Sequence, residues 1–387
     1  MTSVSSATSP AAVPAPVKPE APAKPEVHAE EKPAKRPYIF IDVLADWRIF
    51  DKSPQVDVNG IQIGALVTKA GNVNGLQLSG LANMGEGDCN GIKIAALANG
   101  IKGNFNGIQL AACGNNVEGA FNGVNVGVFN VTGDNSNGIQ IGGIGAISDG
   151  DFRGISVAAW MAGAVGDFTG IGISGFGGAS NCRFKGIQVS GALNFANNLS
   201  GIQIGAVNFT GEIDRLFDLR EYYAKEKDPV TGRKALQGLN SNKVVPPDYG
   251  QGGNIGAEIG GINYLKGDFT GIQMGGLASG TTGTLNGLQI SGIVNAAGCN
   301  SNCMQIGGIF NGTEGSSNSI QFGGVNYSDK RCVGSQVGIV NIANDLKGLQ
   351  IGLYNYTNNL KGVQIGLANI NKSNHLSFPI PVVNASF

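Results

Sequence analysis

Charge is scarce in this sequence. Charged residues make up 14% of the chain, against about 25% in ordinary soluble domains. The 26 Lys and Arg and 27 Asp and Glu leave a net charge of -1. That balance offers no electrostatic footprint for nucleic acid or for an anionic membrane. Histidine is almost missing: His28 and His375 are the two copies. Both lie outside the repeats described below, so no His-based triad or metal cluster is expected there, and no catalytic residue, metal or cofactor is assigned. No run of 18 apolar residues occurs, which excludes a conventional membrane-spanning helix. The start, Met-Thr-Ser-Val-Ser-Ser, has neither the basic opening nor the apolar core of a signal peptide. The six cysteines include no C-x-x-C pair, which argues against a zinc knuckle. Cys299 and Cys303 are near enough to bridge a turn, but free thiols are the simpler reading.

Glycine is the abundant residue, with 63 copies, and its spacing organises the chain. The repeat is plainest near the C-terminus, where Gly348-Leu349-Gln350-Ile351-Gly352-Leu353-Tyr354-Asn355 returns as Gly362-Val363-Gln364-Ile365-Gly366-Leu367-Ala368-Asn369. Counting from the opening glycine, ten units begin at Gly60, Gly75, Gly91, Gly107, Gly123, Gly138, Gly154, Gly170, Gly186 and Gly201. Eight more begin at Gly256, Gly271, Gly287, Cys303, Ser319, Gly334, Gly348 and Gly362. Apolar residues one and three places after the glycine, with Gln between them, show the two-residue period of a strand and predict that the aliphatic positions form the buried face. A further apolar residue two places before the glycine (Phe105, Phe121, Phe152, Phe168, Leu199) implies a corner at the Asn-Gly or Lys-Gly dipeptide.

One such unit cannot bury its own apolar residues, whereas units stacked in parallel can. The expected fold is therefore all-β: a parallel β-solenoid of about 18 coils with 14–16 residues each. The recurrent Asn late in the unit (Asn130, Asn194, Asn208, Asn295, Asn311, Asn341, Asn355, Asn369) is expected to form an amide ladder along it. An outer-membrane β-barrel is the competing architecture, since short alternating strands and a terminal Phe387 suit it too. Identical side-chain order in every unit favours parallel stacking.

Residues 1–36, rich in Ala, Pro, Lys and Glu, read as a disordered tether. Residues 37–58 read as an N-terminal cap, with Trp47 and Phe50 packing on the first coil, because a solenoid end exposes a strand edge. Coils are expected over 59–210 and 254–374, and a Pro-containing C-terminal cap over 375–387. Between them lies an insertion, 211–253, in which 214–227 matches an amphipathic helix. Its Phe217, Arg220, Tyr222, Tyr223 and Tyr249 are the candidate partner contacts. The letters of a dinucleotide fingerprint at Gly170–Gly175 are followed by another coil, not by a helix and an acidic residue, so they carry no weight.

The GIQIGxxN and GLQIGLxN cores, the segment Val58-Asn59-Gly60-Ile61-Gln62-Ile63-Gly64 and the ending Leu376-Ser377-Phe378-Pro379-Ile380-Pro381 resemble a bacterial family of surface-repeat proteins found in spirochaetes and Bacteroidetes. The resemblance covers roughly residues 38–387. It implies a cell-surface, outer-membrane or secreted location and no known activity. The expected role is that of a non-enzymatic spacer or adhesion surface contacting a protein or glycan on a cell surface, tethered or peripheral to a membrane. An outer-membrane β-barrel pore is the alternative reading, and a carbohydrate-active solenoid enzyme a minor one.

Overall fold

The computed structural model describes residues 35–36, 39–42, 56–211, 253–373 and 379–387. They form a parallel β-solenoid of about 17 turns, all strand and turn. The helix expected over 214–227, and Trp47 and Phe50 of the expected N-terminal cap, lie outside the described residues.

A representative coil runs through one strand at Phe105–Ala111, a tight turn, a second strand at Gly114–Val117 and a second turn. The first strand pairs in parallel with Cys89–Ala95 below and with Phe121–Thr132 above, so that Gly91, Gly107 and Gly123 stand in one column. That column sets the corner. Gly107 has φ +142, and a Cβ built there would lie 1.8 Å from the carbonyl oxygen of Gly91. Any side chain would both strain the backbone and collide with the coil below. Cys303 and Ser319 occupy the same column opposite Gly287 and Gly334. Register also survives the long interruption: Gly201 pairs with Gly256 as if the intervening residues were absent.

The direction in which the side chains point corrects the expectation from alternation. Phe105, Phe121, Phe152, Phe168, Phe184 and Leu199, two places before the glycine, are buried as expected. Two places after it, the fully buried residue is Gln62, Gln77, Gln109, Gln203, Gln289 or Gln364. The flanking isoleucines point outward; Ile171 and Ile187 stay 38% and 41% exposed. The parity of the strand thus passes unbroken through the corner, and the interior takes aromatic and amide together. The physical reason is the stack. A buried glutamine satisfies its amide on the identical residue one coil away, which offsets its desolvation, while the isoleucines on either side of that position are more than half covered, as Ile171 and Ile187 are.

The ends differ in kind. Lys35–Arg36 and Ile39–Asp42, the first of them within the span expected to be tether, pair in parallel with Asp57–Val58 and Ile61–Gly64. At the other end Ile380–Ser386 turns back and pairs antiparallel with the last coil. There Asn384 Nδ2 donates to Gln364 Oε1 at 2.9 Å, and Val382 adopts φ 72, an unfavourable conformation for a β-branched residue.

Candidate functional site

Two columns of amides run inside the solenoid. From Gln203 to Gln188, and on through Gln289, Gln305, Gln321, Gln336, Gln350 and Gln364, each Nε2 donates to the Oε1 one coil earlier at 2.7–3.0 Å. The asparagine column runs the other way. Asn83, Asn99, Asn115, Asn194, Asn208, Asn311, Asn326, Asn341 and Asn355 each donate Nδ2 to the next coil's Asn Oδ1 at 2.7–3.0 Å. The second hydrogen of the same amide reaches a backbone carbonyl of that next coil, as from Asn99 to Leu110 and from Asn341 to Ile351, both at 2.9 Å. This is the amide ladder expected from the recurrent Asn.

Two titratable residues interrupt the glutamine column. Lys93 stands between Gln77 and Gln109 and is fully buried, its ammonium without a hydrogen-bond partner. Burial, set against the nearby Cys89, pulls its pKa down to about 8. Glu258 stands between Gln203 and Gln273. Burial pushes its pKa up to about 7, against hydrogen bonds from Thr210 and Gln273 that lower it. Both residues were legible in the sequence as departures from Gln two places after an opening glycine. Four thiols, Cys89, Cys182, Cys303 and Cys332, are buried, while Cys113 and Cys299 are exposed, and none of the six is joined in a disulfide.

The outer surface is where the molecule can meet another. Beyond the isoleucine columns, an aliphatic and aromatic series occupies the first turn of many coils: Ile144, Trp160 and Phe176 in the first half, and Leu277, Ile293, Ile309, Ile339, Leu353 and Leu367 in the second. Trp160 and Phe176 stack with ring centroids 4.6 Å apart, and Leu367 is 72% exposed. The edge bearing the second turn is polar instead. Next to it, on the outer side of the first strand, Asn59, Asn74, Asn90 and Asn106 form their own ladder at 3.0–3.1 Å. Glu86 meets Lys102 at 2.6 Å and Lys69 at 3.7 Å, and the Lys102 hydrogen bond is the main cause that holds its carboxyl below the usual range.

One depression of about 580 Å³ lies on this polar side, lined by Cys299, Asn300, Glu314, Tyr327, Asp329 and Lys330. In it Tyr327 donates its phenol to Asp329 at 2.7 Å, and the carboxylate keeps that phenol's pKa above its ordinary value. Among the described residues no three His, Cys, Asp or Glu come together as a metal site requires, and no helix is long and apolar enough to cross a membrane. The candidate contacts Phe217, Arg220, Tyr222, Tyr223 and Tyr249 lie outside the described residues. What sequence reasoning missed is the outward apolar series, which lies five or six places after the opening glycine, beyond the alternating positions it weighed. Comparison with protein-family models, characterised proteins and solved structures finds no match.

Proposed function

We infer that the chain is a non-enzymatic repeat protein of the cell surface, acting as a spacer and as an interaction surface for a protein or glycan. The observation that carries this reading is the outward apolar series, which continues from coil to coil through Leu277, Ile293 and Ile309 and again through Ile339, Leu353 and Leu367. Monomeric soluble proteins seldom leave a contiguous apolar patch of more than a few hundred Å² in water, and larger patches mark places of contact. The resemblance to surface-repeat proteins supplies the location. The insertion, with Phe217, Arg220, Tyr222, Tyr223 and Tyr249, supplies a second contact region. A pore draws less support, because successive repeats pair in parallel and in register, whereas neighbouring strands of an outer-membrane barrel alternate in direction.

The test is binding of the purified chain to immobilised cell-surface extract. Serine at Ile309, Ile339, Leu353 and Leu367 together should abolish binding with the circular-dichroism spectrum unchanged, and deletion of 212–252 should weaken it. Binding unaffected by either change would refute the reading. Protease protection of the chain on intact cells would refute the location.

A further inference from the structure

We propose that Glu258 is held as a neutral acid inside the solenoid and serves as a proton-operated latch on the junction between the coil before residues 212–252 and the coil after them.

The argument begins with the direction of the glutamine column. Wherever two glutamines of adjacent coils bond, the later one donates to the earlier, so the residue at 258 must supply a hydrogen to Gln203 Oε1 if the column is to continue. Glu258 does receive the forward half correctly: Gln273 Nε2 donates to its Oε2 at 2.7 Å. On the other side three oxygens meet. Thr210 Oγ1 lies 2.7 Å from Glu258 Oε1 and 3.1 Å from Gln203 Oε1. A hydroxyl has one hydrogen to give. With Glu258 ionised, that hydrogen serves two acceptors, and one buried oxygen goes without. With Glu258 protonated, Oε1–H donates to Thr210 Oγ1 and the hydroxyl donates onward to Gln203 Oε1. The acid then replaces the missing Gln amide through a one-residue relay.

Among the described residues, those packed around Glu258 offer its ionised form no counter-charge. The strand beneath it, Leu193–Thr210, and the strand above it, Phe269–Thr281, contain no titratable side chain. On its own strand, Asn254–Leu265, the other titratable residue is Tyr264, which faces outward. Lys266 and Asp268 follow in the turn beyond, and neither contributes to the shift at Glu258. A lone carboxylate in such a place is strongly disfavoured.

The position makes this a junction device. Thr210 is the last residue of the strand that precedes residues 212–252, and Glu258 lies in the next described strand after them. Their hydrogen bond spans 48 residues of sequence. The folded pKa is raised to about 7 from 4.5, so the stabilisation is whole below 4.5 and is lost as pH rises through about 7. Between those values opening the junction releases one proton, and the opening constant should rise on the order of tenfold per pH unit.

Two measurements on the full chain test it. Infrared difference spectra of wild type against Glu258→Gln at pH 6 should contain the carbonyl band of one protonated carboxyl; its absence overturns the proposal. Amide-exchange protection over 254–265, corrected for intrinsic rates, should fall between pH 5 and 8 in wild type and stay level in Glu258→Gln, whose side chain supplies the hydrogen permanently. Parallel profiles in the two proteins overturn the latch, as does a variant less protected than wild type at pH 8.

Discussion

Replacing Lys93 by glutamine should stabilise the protein, and the size of the effect follows from its place in the glutamine column. The side chain is fully buried, and its Nζ lies against Gly85, within 2.8 Å of where a Cβ would stand. Around it the column is broken: Gln77 Oε1 and both amide atoms of Gln109 have no partner. Burial lowers the Lys93 pKa from 10.5 to about 8. For a base, a depressed folded pKa means that the protonated form costs folding free energy. The cost is complete below about 8 and disappears as pH rises towards 10.5. At roughly 1.4 kcal/mol per unit it amounts to about 3 kcal/mol at neutral pH. The Lys93→Gln substitution removes that cost, and its amide can donate to Gln77 and accept from Gln109, each bond adding about 1 kcal/mol. Solenoids open locally, so the assay is native-state amide exchange of residues 89–95, with Lys93→Met as the control that removes charge without restoring the column. At pH 7 protection should rise in the order wild type, Met, Gln, and the rise in wild-type stability between pH 8 and 10.5 should vanish in both variants. A Gln variant less protected than wild type at pH 7 would refute the reasoning.

Three other perturbations separate the parts of the architecture. Gly107→Ala places a methyl 1.8 Å from the Gly91 carbonyl oxygen at φ +142, whereas nothing lies within 4 Å of a Cβ at Gly100. The first should cost more than about 3 kcal/mol and the second less than about 1 in urea unfolding, and equal losses would contradict the close backbone contact. Asn341→Ala removes the acceptor for Asn326 and the donor to both Asn355 and the Ile351 carbonyl. It should destabilise by about 3 kcal/mol, seen as lost exchange protection over 340–351; an unchanged profile would show that the ladder contributes little. A thiol reagent should modify Cys113 and Cys299 at once and the other four only in denaturant, since burial raises Cys89 and Cys332 to about 11 and Cys303 to about 12. Labelling of more than two thiols in the native protein would be at odds with the buried core.

The period, the corner glycine and the late asparagine can be read directly from the repeat, since each reflects a local constraint: a positive φ, a carbonyl within contact distance, an amide in need of a partner. The orientation of Ile61, Ile63 and their equivalents cannot. Alternation says that Gln62 and its neighbours face opposite ways, and hydrophobicity alone turns the isoleucines inward. The deciding interaction, Gln77 Nε2 to Gln62 Oε1 at 2.8 Å, exists between repeats and has no signature within one. Phe105 and Phe121 then take the apolar share of the interior, stacked 5.9 Å apart. Lys93 and Glu258 were visible as misfits in their column, yet their significance depended on knowing that the column is internal. The outer coils thereby gain a candidate contact surface beside the insertion residues such as Tyr222, which lie outside the described residues.

The opposed senses of the two interior amide columns have an electrical consequence. Carboxamide dipoles aligned head to tail over many turns would add, as peptide units do in an α-helix, and leave opposite partial charges at the two ends. Here the glutamines point one way and the asparagines the other. Their fields oppose along the axis, so lengthening the stack by further turns builds up little polarisation at its ends.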